Sequence, residues 1–105
     1  MLRCHLAERA NDVVVLLIEG EMVDEEPIGA LEKALEEQYV DDGVRSIALD
    51  LHDLRALDLE GIGMLLTLRR EAERQGKRLV IRDPTGQVQD KLRTTGVLRF
   101  LEDAR

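Results

Sequence analysis

The sequence predicts an α/β fold, a small and mostly parallel β-sheet with helices packed against it and an antiparallel edge formed by the N-terminal strands. Two observations carry this prediction. Short apolar runs rich in β-branched residues alternate along the chain with longer segments in which apolar residues recur at helical spacing. The chain has 105 residues, 44% of them hydrophobic, which suits one domain with a real core. We therefore expect a single domain over residues 1–105.

The N-terminal part predicts two paired strands and a helix. Val13–Ile18 has the length and the β-branched content of a buried strand. The stretch Cys4–Glu8 is expected to pair with it across a turn at Asn11-Asp12. Pro27 suits the first turn of a helix that runs to about Tyr39. The stripe of this helix that faces the sheet is expected to consist of Ile28, Leu31, Leu35 and Tyr39.

The middle of the chain predicts a second strand and a long helix. Ser46–Leu51 reads as a buried strand, followed by a loop through Leu57. Asp58 is predicted to be the N-cap of the next helix, because a carboxylate there accepts hydrogen bonds from free backbone N–H groups of the first turn. That helix is expected to run to about Gln75 and to stop at Gly76, which suits a left-handed C-terminal residue.

The C-terminal part predicts one more strand and one more helix. Lys77–Arg82 is a short apolar run with basic ends. Pro84 and Thr85 open a helix that runs through Leu92 and stops near Gly96. Strands that alternate with helices in this way are joined by short right-handed crossovers, which make the sheet mostly parallel.

Composition argues against several classes of protein. The net charge is −7 and the aromatic residues are Tyr39 and Phe100, whereas a nucleic-acid binder uses a basic face and aromatic stacking platforms. The lone Cys4 excludes an internal disulfide framework and fits a reducing compartment. No apolar run approaches the roughly 20 residues that span a bilayer, and the N-terminus lacks a secretory signal. We expect a cytoplasmic protein that binds no nucleic acid and inserts into no membrane.

Acidic residues are concentrated in one segment. Residues 19–42 hold ten acidic side chains against Lys33 as the one base. From residue 43 onward, twelve bases face ten acids. Such a run is ordinarily a solvated helix face. The alternative is that it steers a basic partner toward the protein.

The motifs of common enzyme classes are missing from the sequence. It has no phosphate-binding loop, and Ser46, its one serine, lies inside a predicted strand. The three residues Cys4, His5 and His52 have no zinc-ligand spacing. We therefore predict no catalytic residue, no metal and no cofactor.

One enzymatic alternative stays open at this point. Receiver domains carry a phosphoacceptor aspartate at the end of a strand, and Asp50 occupies such a position. Glu19, Glu21 and Asp24 would supply the accompanying acids. The lysine that completes such a site is missing, because Arg82-Asp83 ends the following strand.

A family resemblance is carried by residues 46–101, which begin SIALDLHDL and include LDLEGIG at positions 57–63. This stretch resembles the central part of a STAS domain, in which a strand ending in Asp-Leu-Ser precedes a helix opening of the type apolar-Asp-Ser-Ser-Gly-apolar-Gly. Upstream, Ile18–Met22 is similar to the Gly-Glu-Leu-Asp turn of that family. The resemblance implies a STAS-type fold. It also implies the partner-switching function of the anti-sigma-factor antagonists.

The resemblance further implies where a partner would dock. Antagonists of this kind bind a kinase-like anti-sigma factor, which phosphorylates the first serine of the helix opening. Leu59 stands at that position here and Glu60 at the second serine, so serine phosphorylation cannot operate the switch. In the upstream turn, Val23 replaces the usual aspartate and Asp24 follows one place later. Asp24, Asp58, Leu59 and Glu60 are therefore predicted to contact a partner.

The predicted helix adds two residues to this docking surface. At about 100° per residue, Gly61, Met64, Leu65, Leu68 and Ala72 form the stripe expected to face the sheet. Leu59, Ile62 and Leu66 fall well around the helix from that stripe, so we expect them to form an exposed apolar strip that docks a partner. The alternative is that they pack under a neighbouring loop or helix.

These observations favour a non-enzymatic regulatory module that binds a protein partner. The first candidate for the partner is a kinase-like anti-sigma factor, and a second copy of the chain is another. The alternative is a subunit of a larger assembly, such as a signalling scaffold or a lipid-transport ATPase complex. The receiver-like domain that uses Asp50 ranks behind both.

Overall fold

The computed structural model describes residues 1–102, in which strands and helices alternate along the chain. The strands are β1 (Arg3–Ala10), β2 (Val13–Met22), β3 (Ser46–Asp50), β4 (Leu54–Leu57) and β5 (Arg78–Arg82). The helices are α1 (Gly29–Tyr39), α2 (Leu59–Arg74), α3 (Gly86–Thr94) and α4 (Leu98–Leu101). Gly76 follows α2 with a positive φ of 77°, as predicted for its stop.

The sheet confirms the predicted fold class. Its strand order is β1-β2-β3-β5, and the short β4 pairs with the far end of β2. The pair β1–β2 is antiparallel, whereas β2–β3, β3–β5 and β2–β4 are parallel. An antiparallel hairpin at the N-terminus therefore forms one edge of a sheet that is otherwise parallel.

Alternation along the strands separates the two faces of the sheet. Val14, Leu16 and Ile18 of β2 point into the main core, while Val15 joins Ala48 and Val80 in a small cluster on the opposite face. All four helices contribute to the main core, through Leu31, Leu35, Ile62, Leu65, Val88, Leu92 and Leu101. Burying one such side chain stabilises the fold by about 1.5–3 kcal/mol. No helix within residues 1–102 combines the length and the apolar character needed to cross a membrane.

The loop after α1 is closed by a buried lysine. Lys77 is 8% exposed, and its Nζ donates hydrogen bonds to the backbone carbonyls of Asp41 at 2.8 Å and Val44 at 2.7 Å. A buried ammonium is tolerated when its donors are satisfied in this way. This side chain ties the segment between α1 and β3 to the start of β5.

One strand is longer than predicted, and one strand and one short helix were not predicted. β2 continues four residues past Ile18 to Met22, and the expected loop after β3 contains β4. Leu54 and Leu57 of β4 are buried because this strand adds onto the extension of β2, with Gly20 opposite Leu54 and Met22 opposite Leu57. A strand of four residues is too short to show an alternation of apolar and polar residues in the sequence. It forms because it pairs with a segment that is distant in the chain. The short helix α4 was also not predicted.

Candidate functional site

The N-terminus of α2 is held by Asp58, as predicted. This residue has an extended backbone, and its Oδ1 accepts a hydrogen bond from the Gly61 N–H at 2.9 Å. Its Oδ2 accepts a second bond, from the Asp24 N–H at 2.9 Å. These two backbone donors, Asp24 first, lower the pKa of the Asp58 carboxyl below its ordinary value. The residue is therefore both a helix cap and a tie to the loop between β2 and α1.

Close backbone packing fixes the position of this helix end. A side-chain Cβ at Gly61 would lie 2.0 Å from the backbone oxygen of Met22 and 2.7 Å from Leu57 Cδ1. The Asp58 N–H also donates to the Met22 oxygen, at 3.4 Å. Since only glycine permits this approach, the first turn of α2 rests directly on the end of β2. Leu59 and Glu60 consequently lie on a helix turn that is packed directly against β2.

Leu59 is exposed, as predicted. It is the first residue of α2, and 66% of its surface is accessible to solvent. Glu60 follows in the same turn and is also exposed. Leu59 is therefore an exposed apolar side chain beside a capped helix terminus. It does not belong to the core and is available to contact a partner.

The expected apolar strip along α2 is wrong for Ile62. This residue is 5% exposed and belongs to the main core, while Leu66 is partly buried and packs against that core. Ile62 stands nearest to the inward stripe of the three residues, and the arc of α2 that the core covers is wider than that stripe. The predicted inward stripe is otherwise confirmed, since Gly61, Leu65, Leu68 and Ala72 are buried and Met64 is partly buried. The exposed apolar surface at the helix entrance is therefore Leu59 itself.

Asp24 lies beside this entrance. Its backbone N–H is bonded to Asp58, and its side chain is exposed. The structure thus brings four of the predicted site residues together at one place, namely Asp24, Asp58, Leu59 and Glu60. Leu66, further along α2, and the buried Ile62 lie outside this exposed group.

The receiver-like alternative finds no support in the geometry. The Oδ1 of Asp50 accepts a hydrogen bond from the His52 N–H at 2.9 Å and so stabilises the turn after β3. Glu19 lies 4.0 Å from Arg3 and 3.8 Å from His5. Within residues 1–102, no three His, Cys, Asp or Glu side chains are grouped so that they could hold a metal ion. The acids that the prediction combined are therefore spread over separate contacts.

Burial disfavours the reactive form of the Cys4 thiol. The side chain is half-buried beside the main core, and burial raises the pKa of the thiol to about 11. The thiolate is the nucleophilic and metal-binding form, so a raised pKa disfavours that form near neutral pH.

A cavity whose lining includes no residue of the α2 entrance was missed by the sequence analysis. It measures about 630 Å³ and is lined by four separate segments of the chain. Charges of both signs face it, Arg3 and Arg55 on one hand and Glu19 and Asp53 on the other. No local motif marks it, because its lining is assembled only when the strands pair.

Comparison with known proteins identifies the fold. The sequence model of the STAS domain matches residues 6–104, while no curated protein matches the chain. The solved structure of the anti-sigma factor antagonist SpoIIAA in its unphosphorylated form is similar, with a TM-score of 0.70 and 22% identity over 97% of this chain and 88% of that one. The phosphorylated form of SpoIIAA, a Bacillus cell fate determinant, has a TM-score of 0.60 and 21% identity over 90% and 84%.

A transporter contains a similar region. The murine Solute Carrier 26 family member A9 (Slc26a9) anion transporter has a TM-score of 0.72 and 19% identity, over 89% of this chain and 15% of the transporter. At these identities the structural likenesses show the fold alone. The family match extends over nearly the whole sequence. The chain therefore belongs to the STAS domain family.

Proposed function

We propose that this chain is a regulatory, non-enzymatic module of the anti-sigma-factor-antagonist kind, which binds a protein partner through the entrance of α2 and is not switched by serine phosphorylation there. In this proposal it acts as a single domain in the cytoplasm. The observation that carries the proposal is the exposure of Leu59, 66% accessible at the first position of α2. An exposed apolar side chain on a helix turn that packs against β2 suits a permanent contact with a protein partner.

The chemistry of the entrance supports constitutive binding. Leucine has no hydroxyl, so phosphate cannot be added at position 59. Glu60 carries about one negative charge, against the ~1.5–2 charges of a phosphoserine, and it stands one residue further along the helix. An exposed carboxylate is only weakly repulsive in water. Burying a leucine at an interface can contribute about 1.5–3 kcal/mol, so attraction by Leu59 outweighs repulsion by Glu60.

The test is partner capture from the native host with matched variants. The wild-type chain should retain a protein, with a kinase-like anti-sigma factor as the first candidate. Leu59→Ser should lose that protein, whereas Val40→Ala should keep it, because Val40 is an exposed apolar residue elsewhere, 82% accessible. Equal capture of the partner by the wild type, Leu59→Ser and Val40→Ala would contradict the proposal.

A second candidate is a subunit of a larger assembly, such as a signalling scaffold or a lipid-transport complex. The likeness to a region of the Slc26a9 transporter favours it, because that region is 15% of a much longer chain. The size of the captured complex separates the two candidates. An antagonist would elute with one kinase-like partner, whereas an assembly subunit would elute in a large complex.

A further inference from the structure

A groove runs between α1 and α2 beside the α2 entrance, and its lining includes Glu60 but not Leu59. Its wider part measures about 340 Å³ and its narrower part about 90 Å³, and the two share Glu32 and Leu68. The groove begins near Ile28 and Glu60 and ends near Tyr39 and Glu71. It therefore follows about three turns of both helices, roughly 16 Å at the rise of an α-helix.

The base of the groove is apolar. Leu35 and Leu68 are buried beneath it, while Ile28 and Met64 are partly buried and present hydrophobic surface to its interior. Methionine adapts its shape to different apolar partners, which suits a binding surface. The groove thus offers apolar contact along its length.

The walls of the groove are acidic and largely unneutralised. Glu32 and Glu36 from α1 and Glu60 from α2 form no ion pair with any residue in 1–102, whereas Glu71 is paired with Arg74 at 3.2 Å. No lysine or arginine of the described chain lines either part of the groove. Glu32 lines both parts of the groove, Glu60 the wider part and Glu36 the narrower part, so three uncompensated carboxylates are distributed along its length.

A buried hydroxyl lies at the narrow end. Tyr39 Oη is inaccessible to solvent and has no hydrogen-bond partner in residues 1–102. Burial first, and then the charges of Glu71 and Glu36, raise the pKa of this tyrosine. A buried polar atom without a partner costs free energy, so this hydroxyl destabilises the fold locally at the narrow end of the groove.

We propose that this groove binds a cationic amphipathic helix of a protein partner. Its apolar stripe would lie on the base of the groove, and Lys or Arg side chains on both flanks would meet Glu32, Glu36 and Glu60. The same carboxylates repel phosphates and anionic lipid headgroups, which points to a basic protein segment and not to nucleic acid or a membrane. The inference goes beyond the proposed function, because it does not require Leu59.

The probe is a labelled synthetic peptide of about 15 residues, with Leu on one helical face and Lys on the other. Binding to the full chain is followed by fluorescence anisotropy and by NMR shift mapping. The triple variant Glu32→Gln/Glu36→Gln/Glu60→Gln should bind at least about tenfold more weakly. The control Glu8→Gln/Glu25→Gln/Glu37→Gln makes the same change in net charge at exposed residues outside the groove and should bind like the wild type.

Three outcomes would overturn the inference: no binding, equal loss in both triple variants, or shift changes located away from α1 and α2. Peptides with Lys replaced by Glu, or with the same residues scrambled, should not bind. Leu59→Ala should leave peptide affinity unchanged, since loss there would place the peptide at the α2 entrance. Partner capture that depends on Leu59 tests the proposed function independently, so either proposal can fail while the other holds.

Discussion

The carboxylate of Asp58 holds the backbone of Asp24, 34 residues earlier in the chain, through a hydrogen bond of 2.9 Å. Its other oxygen caps α2 by accepting from the Gly61 N–H. One side chain therefore fixes both the helix entrance and the loop that precedes α1. Because this carboxylate accepts two backbone N–H bonds, its negative form is favoured in the folded protein.

This arrangement predicts a pH-dependent loss of stability. The folded pKa of Asp58 is lowered, so its contribution is fully present above the unfolded pKa and is lost as the pH falls through the folded value. Asp58→Asn should be less stable than the wild type at pH 7, and the difference should shrink below about pH 4. Thermal unfolding from pH 7 to pH 2 measures it.

The pH dependence of wild-type stability alone would not isolate the contribution of Asp58. The pKa of Asp41 is also lowered, by its hydrogen bonds with Arg9 and the Gly43 N–H, so that residue contributes in the same direction. The contribution of Asp41 is the same in the wild type and in Asp58→Asn, so it cancels when their stabilities are compared. Asp42→Asn, at an exposed position in the same loop as Asp41, is the control. A difference between wild type and Asp58→Asn that is constant with pH would contradict the prediction.

Two glycines of α2 should respond in opposite ways to alanine. At Gly61 the added Cβ would meet the Met22 backbone oxygen at 2.0 Å, whereas at Gly63 it would meet nothing within 4 Å. Gly61→Ala should lower the free energy of unfolding by about 1–3 kcal/mol through overpacking. Gly63→Ala should raise it by about 0.5–1 kcal/mol, because alanine has less backbone entropy to lose in a helix. Urea denaturation measures both, and equal effects would disprove the close contact with β2.

Leu59 should matter little for folding. Its exposure predicts that Leu59→Ala changes the free energy of unfolding by less than about 0.5 kcal/mol. Leu65, six residues further along the same helix and 1% exposed, supplies the comparison. Leu65→Ala should cost about 2–5 kcal/mol and lower the melting temperature by roughly 8 °C or more. A loss of that size in Leu59→Ala would show that this leucine is packed in solution and would remove the basis of the proposed function.

Removal of the Tyr39 hydroxyl should not destabilise the protein. Because the Oη atom is buried without a partner in residues 1–102, Tyr39→Phe should leave the free energy of unfolding unchanged or raise it by up to about 1 kcal/mol. Tyr39→Ala should lower it, since the ring packs against the main core. A loss above about 0.5 kcal/mol in Tyr39→Phe would mean that the hydroxyl is hydrogen-bonded in solution.

The sequence predicted best those residues whose roles depend on near neighbours in the chain. The Asp58 cap depends on a residue three positions away, and Leu31 and Leu35 follow the period of a single helix. The prediction for Ile62 is wrong because its burial is set by the tertiary packing of the main core, which the period of one helix does not show. The partners of Lys77 and the lining of the 630 Å³ cavity are likewise assembled from distant segments. Periodicity within one element carries no information about such neighbours.

Glu60 decides between a permanent binder and a module held off its partner. Its carboxylate lies in the first turn of α2, where the helix dipole favours a negative charge by about 0.3–1 kcal/mol at an exposed position. If that charge acted as a phosphate mimic, Glu60→Gln would increase affinity for the Leu59-dependent partner tenfold or more. We expect a change of less than tenfold, because an exposed carboxylate is only weakly repulsive in water. Calorimetric titration of the purified partner into wild type and Glu60→Gln measures the sign, and a tenfold gain would mean that the native protein is held off by this one residue.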